Sequence, residues 1–169
     1  MKNLLIAMLV MLVTSSFAYS QSWTSLDYTN TERNYNVTVM NNGTLTFYNT
    51  SPAARADQIY TTTISNDQIN DLNNFMLSAG FLSGDFNPNF MDKGGSTRTV
   101  QINMIERKPV TLNDNLGNKN DISNFQSLVA RIEKLVPSNF WTDNGIPYGK
   151  KNKKNKHHKK DKENENHED

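Results

Sequence analysis

The chain has 169 residues and no cysteine, which excludes disulfide-stapled scaffolds and cysteine zinc sites and leaves a single hydrophobic core to hold the fold. Its net charge of +1 is uneven: residues 150–169 carry eight Lys against five acidic groups, Lys2 stands near the start, and residues 21–149 carry nine basic and twelve acidic groups. A mildly acidic body with a basic tail does not match a nucleic-acid-binding fold, which places Lys and Arg on its folded surface, so no nucleic-acid partner is expected.

Met1-Lys2-Asn3 is a short positive segment, and Leu4 to Val13 is an apolar run of about ten residues, the length of a signal-peptide core and too short to span a bilayer. Ser16, Ala18 and Ser20 are small residues suited to cleavage after Ala18 or Ser20. Residues 1–20 therefore read as a signal peptide, and the chain as exported, either secreted or associated with the cell envelope. No Cys follows the run, which excludes a lipoprotein, and no later segment is apolar enough to cross a membrane.

Residues 21–33 read as a polar N-terminal extension without clear structure. Tyr35, Val37 and Val39 alternate with polar residues, Asn41-Asn42-Gly43 is a turn, and Leu45 and Phe47 resume the alternation, so residues 34–49 read as a β-hairpin. Gln58 to Ile64, rich in Thr, Ile and Tyr, suits a third strand. Ser65-Asn-Asp-Gln68 has capping-box form, and Ile69, Leu72, Met76 and Ala79 make one apolar helix face with Phe75 beside it. Gly80 stands where a left-handed C′ residue is needed, with Phe81 as its apolar partner.

Residues 83–96 form a loop in which Phe86, Phe90 and Met91 are expected to fold back onto the sheet, an exposed binding loop being the alternative. Val100, Ile102 and Met104 alternate as a strand, Glu106 to Pro109 reads as a turn, and Val110 and Leu112 as the paired strand. A second helix is predicted from about Asp121, its expected N-cap, to Val136, with Ile122, Phe125, Leu128, Val129 and Ile132 as its stripe and Pro137 as its stop. The expected fold class is α+β: an antiparallel sheet of about five strands in ββ-β-α-ββ-α order, two helices on one face, and a disordered tail. The expected domain is residues 34–141, followed by a linker at 142–149 and a Lys/His-rich tail at 150–169, which has almost nothing apolar to bury.

Chemistry has little to work with in this chain. HExxH and GxSxG patterns are absent, and His157, His158 and His167 all lie in the tail, so residues 21–149 lack the commonest general base and the best nucleophile. No catalytic residue, cofactor or enzymatic activity is expected. Asn113 to Asp121 is rich in oxygen ligands but lacks the calcium-loop order and includes Lys119, so turn and capping roles are expected. In the tail, His157, His158 and His167 are candidate ligands for copper, nickel or zinc. The eight Lys are candidates for holding anionic lipid or cell-wall polymer. A solubilising tail without a partner is the plainer alternative.

The hairpin Tyr35–Phe47, the helix Ile64–Gly80 ending in Ala79-Gly80-Phe81-Leu82, the strand pair Thr97–Leu112 and the closing helix with Leu128 and Ile132 together resemble the emfourin family of small proteinaceous inhibitors of thermolysin-like metallopeptidases. The resemblance runs from about Tyr35 to Pro137 in element order and apolar pattern. Where that family tends to have a Gly-Gly pair in its first hairpin, this chain has Asn42-Gly43. It implies a non-enzymatic secreted protein that plugs the cleft of an extracellular protease. The alternative reading is a module of unknown ligand, retained at the cell envelope by its basic tail.

Overall fold

The computed structural model describes residues 23–52, 59–92 and 94–143. The signal-peptide reading of 1–20, the tail with His157, His158 and His167, and most of the 142–149 linker lie outside the described residues.

The fold is α+β, built on one antiparallel sheet of six strands: β1 (Trp23–Asn30), β2 (Tyr35–Met40), β3 (Thr44–Asn49), β4 (Ile59–Thr63), β5 (Arg98–Met104) and β6 (Val110–Asn113). Their order across the sheet is β4-β3-β2-β1-β5-β6. Helices α1 (Asn66–Ser78), α2 (Lys119–Leu135) and α3 (Ser138–Asp143) follow the strands they connect or close. The expected strand count of about five is corrected to six, because the segment read as an extension is β1. That strand lies inside the sheet, with Leu26 opposite Val39 on one side and Ile102 on the other. Its sequence hides this role, since a bulge at Trp23/Ser25 breaks the alternation at its start.

One sheet face carries the core. Trp23, Leu26, Tyr28, Tyr35, Val37, Val39, Leu45, Phe47, Val100, Ile102 and Leu112 are buried there together with the apolar stripes of α1 and α2. The opposite face carries Ser25, Asp27, Asn36, Thr38, Thr46, Thr61, Gln101 and Asn103, none of them buried. That is the two-sided pattern of an antiparallel sheet with one solvated face. Near its centre Asp27 accepts from Thr38 Oγ1 at 2.8 Å and from Asn103 Nδ2 at 2.5 Å, tying three strands together on the wet side.

Helix α1 is delimited as its sequence requires. Ser65 Oγ accepts from the Gln68 amide, and the Gln68 side chain accepts from the Ser65 amide at 2.8 Å. At the other end Gly80 has φ +78°, the Gly80 amide donates to Leu77 O at 3.0 Å and the Phe81 amide to Met76 O at 3.0 Å. These two bonds complete a Schellman motif, and buried Phe81 and Met76 provide its apolar contact. The N-cap of α2 is Asn118 rather than Asp121, and its side chain accepts from the Asn120 amide at 2.8 Å. Asn serves as well as Asp at that position, and starting the helix earlier leaves Asp121 in the first turn, where its charge favours the helix dipole.

After Pro137 the chain makes the short helix α3, which the sequence pattern did not reveal. Trp141 meets Tyr35 edge-on at 4.9 Å and Phe47 at 5.1 Å, while Phe140 lies 4.7 Å from Tyr60. Six residues carry too little periodicity to be read as a helix. Their two large aromatics supply the drive by closing the core over β2, β3 and β4.

Gly43 is the tightest point of the hairpin. Its φ is +89°, and a Cβ there would lie 2.9 Å from Ile64 O. Gly43→Ala should therefore cost about 1–3 kcal/mol of unfolding free energy. Gly95→Ala, where a Cβ would meet nothing within 4 Å, should stay within about 0.5 kcal/mol. Urea denaturation of the two variants checks this, and equal losses would contradict it.

Candidate functional site

Three places bring polar or reactive side chains together. The first is interior and joins β1, β2 and α2. Tyr35 Oη donates to Glu133 Oε1 at 2.5 Å, and Tyr28 Oη donates to the same oxygen at 3.0 Å. Asn30 Nδ2 donates to both phenol oxygens, at 3.1 and 3.3 Å, and its Oδ1 accepts from the Arg33 amide at 3.0 Å. Burial, reinforced by the Glu133 charge, pushes the Tyr28 phenol up to about 12. Burial raises Tyr35 as well, with Tyr28 and Glu133 adding to it.

Phenols held this firmly protonated are hydrogen-bond donors, not bases or nucleophiles, and every group in the set has a partner. The cluster clamps α2 to the sheet. Sequence reasoning missed it, since Tyr28 lies in the segment read as an extension; the one local hint is that Glu133 sits one residue from the buried stripe of its helix.

The second place is an open groove of about 560 Å³ between α1 and α2, floored by Leu72 and Leu135 with Asp67 and Asp71 on one wall and Arg131 and Lys134 on the other. Asp71 pairs with Arg131 across it, and the Arg131 guanidinium also lies 4.6 Å from the Phe75 ring centroid. This half-exposed pair bridges the two helices and spans the groove, which accounts for Asp71 and Arg131 by structure alone.

The third place lies at the rim, where the segment 83–92 faces the β5–β6 turn across an open cleft of about 720 Å³. Phe86, Pro88 and Phe90 line one side and Met104, Arg107 and Pro109 the other. The outcome for the three apolar loop residues is divided. Phe86 folds back as expected, edge-on to Phe81 at 5.2 Å. Phe90 and Met91 do not; they stay 41% and 37% exposed.

Backbone bonds hold these two residues in place without burying them. Phe90 forms an isolated bridge with Leu116, the Met91 amide donates to Asn115 O at 2.7 Å, and the Gly117 amide donates to Asn89 O at 2.8 Å. Across the cleft, Glu106 takes φ +56°, a left-handed conformation that is costly for a residue with a side chain. Arg107 and Lys108 make no ion pair among the described residues.

The Asn/Asp-rich segment 113–121 anchors this rim. Asn113 Oδ1 accepts from the Asn115 amide at 2.9 Å. Asp114 accepts from Thr97 Oγ1 at 2.7 Å and faces Arg98. Burial alone would raise the Asp114 carboxyl, but the hydrogen bonds from Thr97 and Ser96 and the Arg98 charge outweigh it and hold it below the usual carboxylate range. Among the described residues no group of three or more His, Cys, Asp or Glu is placed to hold a metal ion. No described helix is long and apolar enough to cross a membrane.

Comparison with protein-family models, curated proteins and solved structures finds no match for the chain.

The tyrosine clamp has a measurable pH signature. Tyr28 holds its proton up to about pH 12 when folded, against 10.0 for the ordinary phenol. Between those values the unfolded chain has lost protons that the folded chain keeps, so stability falls as pH rises. Below about pH 10 the contribution is fully present. Urea denaturation across this window should show the decline in the parent chain and a shallower one in Tyr28→Phe/Tyr35→Phe. The double variant should also lose about 1–3 kcal/mol at neutral pH. Equal alkaline slopes in the two proteins would remove the clamp from this role.

Proposed function

We propose that this chain is a secreted, non-enzymatic binding protein that plugs the cleft of an extracellular metallopeptidase, as the emfourin resemblance implies, and that the part inserted is the rim formed by residues 83–92 and the β5–β6 turn. The supporting observation is the bonded ledge at Phe90 and Met91. Two large apolar side chains project from a loop whose backbone is tied to a neighbouring loop on both sides of them. An apolar side chain left partly outside the core forgoes the rest of the gain that burial would bring. It gains by entering a partner's pocket, and a loop already in its bound shape loses little entropy on doing so. Large anchors of this kind carry most of the energy of a tight interface.

Arg107 and Lys108 stand across the cleft from Phe90, with Asp85 in the same lining, so the rim offers charges of both signs to a partner's polar edge, which fix register more than they add affinity. The emfourin-type reading adds that such a protein blocks hydrolysis by occupying the cleft and needs no reactive group of its own.

Titration of the purified chain against a thermolysin-like protease, following peptide hydrolysis, tests the reading. Stoichiometric loss of activity with the chain intact on a gel is the expected result, and Phe90→Ala/Met91→Ala should weaken inhibition at least about tenfold. The far-ultraviolet spectrum of the variant should match the parent. Undiminished hydrolysis at excess chain, or rapid cleavage of the chain, would overturn the proposal.

A further inference from the structure

The two edges of the sheet are not equivalent. At β4, the Ile64 amide donates to Gly43 O at 2.8 Å, and the pairing continues as Thr62 with Leu45 and Tyr60 with Phe47. Strand alternation then turns the N–H and C=O groups of Ile59, Thr61 and Thr63 away from β3. Among the described residues nothing bonds to these outward groups. Ile59 is 60% exposed, the most exposed large apolar side chain of the described residues. No residue of Ile59–Thr63 is charged, and none is proline.

The other edge, β6, has four residues and begins directly after Lys108 and Pro109. Its Asn113 carbonyl is already taken by the Leu116 amide at 3.4 Å. Lysine, proline and shortness are the usual devices that keep a strand edge from pairing, and β4 carries none of the first two.

We propose that β4 is a self-association edge, pairing antiparallel with β4 of a second copy of this chain to form one continuous sheet across a two-fold axis. The occupant follows from the strand itself. With Thr61 opposite Thr61 of the partner copy and Ile59 opposite Thr63, each outward N–H meets an outward C=O. The Thr side chains meet across the strands, and Ile59 gains a neighbour. A strand without charges places no like charges together at a two-fold axis, and it offers an acidic or basic peptide nothing to prefer. Five paired residues bury less than the roughly 1,200 Å² of a standard interface, so association is weak and depends on concentration.

Sedimentation velocity of the full chain from about 10 µM to about 1 mM reads this out. The parent should shift from monomer to dimer across the series. Thr61→Lys, which sets two ammonium groups face to face, should stay monomeric at low salt and regain association at high salt. Thr61→Pro removes an N–H that faces away from β3, so the ladder to β3 remains and only association should be lost. Thr111→Lys on the opposite edge should dimerise as the parent does. A parent that stays monomeric throughout, a Thr61→Lys variant that associates like the parent at low salt, or a Thr111→Lys variant that loses association would each overturn the proposal.

Discussion

Strand β1 pairs with β2 along one side and β5 along the other, so the meander β2-β3-β4 and the hairpin β5-β6 share a sheet only through it. Its inward side chains Trp23, Leu26 and Tyr28 are buried at the middle of the core. Each large aromatic there removes about 150–250 Å² from water, the main favourable term available to a domain without disulfides. The same strand supplies Tyr28 and Asn30 to the clamp on Glu133, which adds a directional bond to the non-directional burial of α2. Without β1 the two halves would have no common sheet and would share a core only through the helices that cover them.

The constraint also separates the two faces. Helices α1 and α2 bury their stripes against one side, and α3 closes the β3–β4 end with Trp141 and Phe140. The wet side is left to short hydroxyl and amide side chains around Asp27. Exposed apolar side chains and unpaired backbone groups are thereby left to the margins, where strands end and the backbone is free to deviate. The rim with Phe90, Met91 and Glu106 lies at one margin and the unguarded edge of β4 at another. In both, free backbone or apolar groups are displayed by elements whose own bonds are already made.

Two features of this arrangement are not decided by local sequence, for physical reasons. Phe86, Phe90 and Met91 look alike as apolar loop residues. Their separation into one packed and two exposed side chains depends on where the Asn115–Gly117 backbone lies, and no local pattern encodes that. Glu133 looks like a solvated helix residue. Only the approach of two phenols from strands distant in the chain turns it into the acceptor at the centre of a clamp.

Local physics was legible wherever one segment contained its own explanation. The capping box at Ser65, the left-handed Gly80, the hairpin turn at Asn42-Gly43 and the apolar stripes of both long helices follow from steric limits and periodicity within a few residues. The α+β class follows from their order. What the tertiary structure decided was pairing. Strand β1 has a bulged, polar-looking sequence and becomes the middle of the sheet because two partners exist to receive it. Helix α3 is too short to stand alone and forms because the ends of β2, β3 and β4 leave an aromatic gap. In both cases the deciding energy is burial against residues far away in the chain, a quantity that no short window of sequence contains.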